Sequence, residues 1–390
     1  MNFELTDEQV VLQRSVRELA ERLIIPNARR WDEEEIFPHE IIPAMGEMGL
    51  LGMQIPEEYG GAGMKFLDYV VALEEIARAD ASMGLTMASH NSLCTGHLYL
   101  AGNEAQRKKY LPRLASGQAL GGWGLTEPGS GSDAGAARTR AVPKGVGKDA
   151  RWVINGTKTF ITQGSVGSIY VVLASTSPEK KAKGLTAFIV ERGTPGFRTG
   201  KRIEKMGLHA SDTTELIFED VEIPEDQRLG EIDGGFFDTL KILDKGRVGI
   251  GAWAVGIGRA ALEASLKYAK DRVQFGKPIG DFQAIQHMLA DMATELDAAR
   301  LLVWRAAWMQ DRKERTTQES AIAKYYAARA SMRACNAAVQ IHGGYGYTRE
   351  FDVERYMRDA KLAEIGEGTN EVQKMVIARE LLTKAAAATA

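Results

Sequence analysis

The chain reads as an α+β protein, mostly α, with a helical N-terminal domain, a small middle β-domain and a C-terminal domain of long helices. Three observations predict this. Helix-start signals and apolar stripes spaced by three and four dominate residues 1–120. Short β-branched runs separated by Gly, Pro, Asn and Asp fill residues 121–230. Apolar residues step by three and four again, over longer stretches, in residues 231–390. Three domains suit a chain of 390 residues at about 150 residues per domain.

The N-terminal part opens with Thr6-Asp7-Glu8-Gln9, a capping-box pattern. The Thr6 hydroxyl accepts from the Gln9 N–H while the Gln9 side chain reaches back. Leu5 and Val10 then stand as a hydrophobic staple, and Leu12, Val16, Leu19 and Leu23 continue an apolar stripe. Pro38, Pro43, Gly49 and Gly52 punctuate a shorter helix, and Pro56 to Gly63 is a loop. Phe66 to Ala79 and Glu104 to Ala115 are further helices.

Gly122 to Gly135 is a loop rich in Gly, Ser and Thr. Strands follow at Arg151–Ile154, Ile169–Leu173, Leu185–Val190, Glu215–Phe218 and Val221–Ile223, with Asn155-Gly156 as a turn. From about Gly235 the chain is helical. Gly249-x-Gly251 and Gly256-x-Gly258 fall inside that pattern and read as close helix packing through small side chains. Phe282, Ile285, Leu289, Met292, Leu296, Ala299 and Val303 form an a/d seam, so this helix packs into a bundle. Thr317 to Ile341 is another helix, stopped by Gly343-Gly344. Glu371 to Leu382 closes the chain, and Ala385 to Ala390 reads as a frayed end.

Composition narrows the function. Lys and Arg number 49 against 52 Asp and Glu, a net charge of −3. That balance opposes a general nucleic-acid binder, which needs a basic excess. Two cysteines, Cys94 and Cys335, exclude a disulfide scaffold and a multi-thiolate metal site. The histidines, His39, His90, His97, His209, His287 and His342, show no H-E-x-x-H spacing, so no metal is expected. Cys94 reads as a buried helix residue and His209 as a surface or interface residue. The longest apolar run, Val248 to Gly258, is far short of the ~20 residues of a membrane span. Glu4, Asp7 and Glu8 do not suit a signal or transit peptide. The expectation is a soluble, cytoplasmic protein, or a mitochondrial matrix protein if a presequence has been removed. Gly129-x-Gly131-x-x-Ala134 matches the dinucleotide fingerprint only formally, because Glu127-Pro128 precedes it where a strand is required.

Four segments carry chemistry. Trp123 to Asp133 (W-G-L-T-E-P-G-S-G-S-D) is a polar loop whose amides and hydroxyls can cradle a ligand. Phe160-Ile161-Thr162 follows Asn155-Gly156. Arg272-x-Gln274-Phe275-Gly276 stands at a helix end. Gln340-x-x-Gly343-Gly344-Tyr345-Gly346 is followed by Glu367-Gly368-Thr369-Asn370-Glu371. Each alone matches an ordinary turn, helix cap or solvated acidic loop. Together, in this order and spacing, they resemble the acyl-CoA dehydrogenase family, over essentially the whole chain. L-T-E-P-G-S-G-S-D and E-G-T-N-E-V-Q carry most of the resemblance, and the C-terminal part looks most like the short-chain, butyryl-CoA type.

The resemblance implies a four-helix bundle at the C-terminus and FAD held between the middle and C-terminal domains. Trp123, Leu125, Thr126 and Ser132 would line the flavin, with Ser132 also reaching the acyl-CoA. Phe160 and Thr162 would sit beside the ring system; the family usually has Trp at position 160, and Phe keeps an aromatic face but loses the indole N–H. Arg272, Gln274, Phe275 and Gln283 match contacts to the adenosine diphosphate half of a partner subunit's FAD, where a forked cation suits pyrophosphate. Gln340, Gly343, Gly344, Thr369 and Glu371 match further FAD contacts.

Glu367 aligns with the catalytic base, which removes the α-proton while the β-hydrogen leaves as hydride to flavin N5. Burial would raise its pKa to around ~6–7, as such a base requires. Its own backbone N–H would help to stabilise the enolate-like charge, and Gly368 would let the substrate approach. Isovaleryl and long-chain members place the base elsewhere, in the helix just before an arginine. Here that segment reads Asp244-Lys245-Gly246-Arg247 and offers no carboxylate at Gly246. Asp244 and Arg247 match substrate-side positions. The implied activity is dehydrogenation of a short, straight or branched acyl-CoA to a trans-2-enoyl-CoA. The implied enzyme is a homotetramer that passes electrons to an electron-transfer flavoprotein. The rivals are an acyl-CoA oxidase or a glutaryl-type dehydrogenase on the same fold, and a non-catalytic DNA-associated member.

Overall fold

The computed structural model describes residues 3–389. The N-terminal part is helical: α1 (Asp7–Leu19), α2 (Ile25–Glu33), α3 (Ile42–Glu47), α4 (Phe66–Ala79), α5 (Ala81–Ala88), α6 (Gly96–Ala101) and α7 (Glu104–Ala115). The capping box forms, with the Gln9 N–H donating to Thr6 Oγ1 at 3.3 Å and the Thr6 N–H to Gln9 Oε1 at 3.1 Å. Val10 is exposed, so the staple expected with Leu5 buries little. Wider π-type turns interrupt the helices at Ala20–Ile24 and Ser89–Thr95. The second carries His90, which is fully buried. Burial pushes its imidazole down to about 4. The neutral ring accepts from the Gly121 N–H at Nδ1 and donates to the Leu114 carbonyl from Nε2, both at 3.1 Å. His90 thereby ties the helical part to the first strand.

The middle part is a sheet of β1 (Gly121–Gly124), β2 (Arg140–Lys144), β3 (Arg151–Thr162), β4 (Ile169–Ser175), β5 (Leu185–Glu191), β6 (Phe197–Thr199), β7 (Thr213–Pro224) and β8 (Arg228–Leu229). The strand order is β6-β7-β3-β2-β4-β5-β8, with β1 parallel on β4. Three expectations are corrected. Gly122 to Gly124 is strand and not loop, with its glycines buried and Trp123 half-buried, because glycines let β1 pass against Tyr170 and Cys94. Asn155-Gly156 is a bulge inside β3, at a register shift against β7. Asn155 Oδ1 accepts from the Asp220 N–H at 2.8 Å there. The two short strands expected over residues 215–223 are one, bent at Asp220, whose φ is 51°.

The C-terminal part contains α8 (Gly235–Asp271), a hairpin of β9 (Val273–Gln274) and β10 (Lys277–Pro278), α9 (Gln283–Asp311), α10 (Thr317–His342), α11 (Val353–Ala360) and α12 (Asn370–Thr389). The expected small-residue packing along α8 is present. A Cβ on Gly251 would lie 2.9 Å from Val303, and one on Gly256 would lie 2.5 Å from the Glu74 carbonyl oxygen. The α9 seam buries Met292, Leu296, Ala299 and Val303, whereas Phe282, Ile285 and Leu289 stay half-buried. Helix α12 runs through the alanines to Thr389. The fraying expected from Ala385 is therefore not seen over those residues, as suits the strongest helix former; Ala390 lies outside the described residues.

Of the two readings offered for His209, surface or interface, the interface one holds, and the residue is half-buried. Its Nδ1 lies 3.2 Å from Asp32 Oδ1 of α2, so it bridges the helical part and the loop before β7. Among the described residues no helix is long and apolar enough to cross a membrane.

Helices α1, α4, α8 and α9 meet around two buried carboxylates. Glu75 accepts from Arg17 at 3.0 Å and from Arg259 at 2.8 Å, and Glu74 accepts from Arg259 at 2.6 Å and Arg300 at 2.7 Å. Burial alone would raise the Glu75 pKa; the arginines outweigh it and hold it below the usual glutamate range. Its stabilisation is therefore full above about pH 4.3 and lost as pH falls through the lower folded value. Glu75→Ala should cost about 3–5 kcal/mol at neutral pH by leaving buried cations unmatched. Thermal melts of wild type and variant should converge in acid.

Candidate active site

Glu367 sits in the short turn before α12, on backbone that few non-glycine residues adopt. Its φ is 50°, and that of Gly368 is 93°. Only glycine suits position 368, where a Cβ would also lie 2.7 Å from Gln373 Nε2. The turn sends the Glu367 side chain onto α8 at Gly246. A Cβ on Gly246 would overlap Oε2 and lie 2.9 Å from the carboxyl carbon. Oε2 is shielded from solvent and has no hydrogen-bond partner. Burial raises the Glu367 pKa to about 7, against the opposing pull of Arg247 and Lys324. Among the described residues the Glu367 N–H has no acceptor.

Charges flank this carboxyl on two helices. Arg247, one position beyond Gly246, donates to Asp244 Oδ1 at 2.8 Å, and Thr317 donates to Asp244 Oδ2 at 2.8 Å. Both Asp244 oxygens are thus committed within the chain. Arg247 Nε is buried without a partner, and burial lowers the pKa of its guanidinium. From α10, Lys324 reaches the Gly368 carbonyl at 2.7 Å. Tyr69 of α4 has a buried, unpartnered hydroxyl that would lie 3.2 Å from a Cβ on Gly249, one turn along α8 from Gly246.

The loop after β1 forms a second group. Leu125 is buried, Trp123, Thr126 and Thr162 are half-buried, and Ser132 is exposed. The Trp123 indole N–H donates inward to His97 Nδ1 at 3.1 Å. Glu127 anchors the loop: it accepts from Lys158 of β3 at 2.7 Å and from the Arg138 and Thr139 N–H groups at 2.6 and 2.9 Å. Lys158 also donates to the Leu125 carbonyl at 3.2 Å, and the Thr159 N–H to the Thr126 carbonyl at 2.9 Å. Phe160, at a bulge of β3 with φ 56°, turns its ring outward, 65% exposed.

A third group lies on the bundle. Arg272 caps α8, and Phe275 and Gly276 form the tip of the β9–β10 hairpin, with Phe275 94% exposed. Arg272 stacks over Tyr345, which follows Gly343-Gly344, so these two motifs meet within one chain. Gln274, Gln283, Gln340, Gly343, Gly344 and Glu371 are exposed, and Thr369 is half-buried at the start of α12.

Family models match in three consecutive stretches: acyl-CoA dehydrogenase N-terminal domain over residues 6–118, middle domain over 122–221 and C-terminal domain over 233–382. The chain belongs to the acyl-CoA dehydrogenase family. It is 45% identical to the mitochondrial short-chain specific acyl-CoA dehydrogenase of Mus musculus, over 98% of this chain and 92% of that one. The solved butyryl-CoA dehydrogenase of Megasphaera elsdenii is 43% identical with a TM-score of 0.95, covering 98% of this chain and all (100%) of that one. A chain solved in work on the electron transferring flavoprotein of Acidaminococcus fermentans is 44% identical, with a TM-score of 0.96 and coverage of 98% and 100%.

Acyl-CoA dehydrogenases are FAD-dependent oxidoreductases, and this chain is one of them. The residues present fit the cofactor. The Thr126 and Thr162 hydroxyls make no hydrogen bond among the described residues, and Phe160 offers an open aromatic face. Nothing lies within 4 Å of a Cβ at Gly129, Gly131, Gly343 or Gly344, which leaves a backbone cradle free for a ligand. Cys94 is buried against Gly121, and burial pushes its thiol up to about 12, as suits a packing residue.

Sequence reasoning assigned no role to Lys158, Glu127, Tyr69, Lys324 or Gln373. Lys324 carried a signal: it is a lysine within the apolar, alanine-rich face of α10, where unpaired lysines are rarely found.

Gly246→Ala should keep bound flavin but lose about 10²-fold in flavin reduction by substrate, the scale of a base displaced by about an ångström. Lys158→Met strands a buried carboxylate beneath the loop after β1. Its ratio of visible to 280 nm absorbance after purification should fall several-fold.

Proposed function

We propose that the protein dehydrogenates short-chain acyl-CoA thioesters across the α and β carbons, with Glu367 as the base. One observation carries this reading. A carboxyl group with an unpartnered oxygen is held against a bare stretch of helix, and burial raises its pKa to about 7. Such a group is ionised often enough at neutral pH to accept a proton and basic enough to hold it.

The α C–H of a thioester is a weak acid, so charge must be met as it develops. Glu367 removes the α-proton. Its own N–H, which has no acceptor in the chain, donates to the thioester oxygen as that oxygen gains charge. Arg247 and Lys324 keep the surrounding potential positive. FAD, when bound, supplies the acceptor for the β-hydride. Trp123, Leu125, Thr126, Phe160 and Thr162 would hold its ring system. Ser132 would reach both flavin and acyl-CoA. Arg272, Gln274, Phe275, Gln283, Gln340, Gly343, Gly344, Thr369 and Glu371 would hold the remainder across a homotetramer interface.

Short-chain specificity is supported by the names of the relatives at about 45% identity. The match to a chain studied with an electron transferring flavoprotein supports such a protein as electron acceptor. We place the reaction in the cytoplasm.

The test is anaerobic flavin bleaching by butyryl-, isobutyryl-, isovaleryl- and octanoyl-CoA. The short thioesters should bleach fastest. Glu367→Gln should retain flavin and lose about 10²–10⁴ in rate. Near-normal bleaching of that variant would overturn the assignment. At low substrate the wild-type rate should rise with pH through about 7, because only the ionised base reacts.

A further inference from the structure

We propose that Lys324 is a positioning residue for the base: its buried ammonium pins the left-handed turn that carries Glu367 and supplies the counter-charge that keeps the carboxylate available for proton abstraction. The inference rests on the reading of Glu367 as the base.

Lys324 is fully buried on α10, among Ser320, Ala321, Ala323, Ala327 and Ala328. Its Nζ donates to the Gly368 carbonyl at 2.7 Å. Gln373 of α12 donates to the same carbonyl at 2.9 Å and to the Glu367 carbonyl at 3.3 Å. Two successive carbonyls of a strained turn are thus held by one charged and one neutral donor. A left-handed glutamate persists only when its surroundings over-determine it, and these two side chains do so.

Among the described residues no carboxylate lies within ion-pair distance of Lys324. The groups facing the site are few. Arg247 of α8 is matched by Asp244. Tyr69 of α4 is neutral, because burial raises its pKa. Glu364 and Glu371 act on Lys324 from farther off, and Arg379 acts on Arg247. Lys324 and Glu367 are therefore the cation and the anion of the site that lack an ion-pair partner, and Lys324 adds to the stronger pull of Arg247 on the carboxylate. Burial brings the ammonium down to about 8, and the Glu367 carboxylate is the largest influence holding it up. When Glu367 takes the α-proton, the Lys324 charge is left uncompensated just as negative charge develops on the thioester oxygen.

The experiment uses FAD-loaded wild type, Lys324→Gln, Lys324→Arg, Gln373→Leu and Glu367→Gln. Flavin reduction at low butyryl-CoA is followed by stopped flow from about pH 5.5 to 9.5, which brackets the base. Wild type should show a limb near 7. Lys324→Gln should move that limb up by about one unit and also lower the alkaline plateau, because it removes both a charge and a hydrogen bond to the turn, so that the rate at pH 6.5 falls at least about tenfold. Lys324→Arg should restore the limb. Gln373→Leu should lower the plateau and leave the limb in place, since it removes a hydrogen bond and no charge.

A limb unmoved in flavin-loaded Lys324→Gln overturns the inference. Should that variant fail to load flavin, the other two decide: unmoved limbs in both support it, and a limb raised in either overturns it. A limb that survives in Glu367→Gln would instead remove the base assignment itself, independently of Lys324.

Discussion

Helix α8 lets its neighbours approach at backbone distance, and the site is built under that constraint. The helix has 37 residues and so runs about 55 Å. Where it meets Glu367, Tyr69, Val303, Glu74 and Leu296, it presents Gly246, Gly249, Gly251, Gly256 and Gly258. Glycine inside a helix costs about 0.5–1 kcal/mol relative to alanine. Tight packing on both faces offsets that cost. At Gly246 the freed space holds no packing group. It holds a carboxylate.

Close approach alone would leave several charges stranded, and the chain answers with fixed partners. Glu127 and Lys158 neutralise each other beneath the loop after β1, and each spends its remaining hydrogen bonds on nearby backbone. Asp244 occupies Arg247. Glu74 and Glu75 gather arginines from α1, α8 and α9. Glu367 differs, because it has no hydrogen-bonding partner at Oε2. The contrast is chemical: a carboxylate matched by two donors loses basicity, and one left unmatched keeps it.

Much of this was legible in the residues. Helices α4 and α7 run between the residues at which their signals begin and end, because cap and apolar period agree there. The Glu367-Gly368 pair was legible as a motif. The strands were less so. Asn155-Gly156 has turn chemistry, yet β7 pairs on both sides of it and absorbs it as a bulge. Gly121 to Gly124 offers only Trp123 as a β-propensity signal among three glycines, and it is strand because β4 and the π-turn at Ser89–Thr95 leave room for little else at those glycines. Lys158 and Gln373 were not legible as site residues, and Lys324 only as a lysine out of place on an apolar face, since their roles come from contacts to particular backbone carbonyls. Such contacts leave no spacing pattern along the chain.

The overlap between Gly246 and Glu367 also bears on how such enzymes diverge. A side chain at position 246 would begin where the Glu367 carboxylate now lies. Here the two positions address one point in space from two backbones. A lineage that moved the base by single substitutions would pass through one of two intermediates. One forces two carboxylates into a volume that admits one; the other has none. The first is opposed by overlap and like-charge repulsion, the second by loss of catalysis. The geometry thus admits one carboxylate between the two positions, and relocating it requires both to change together.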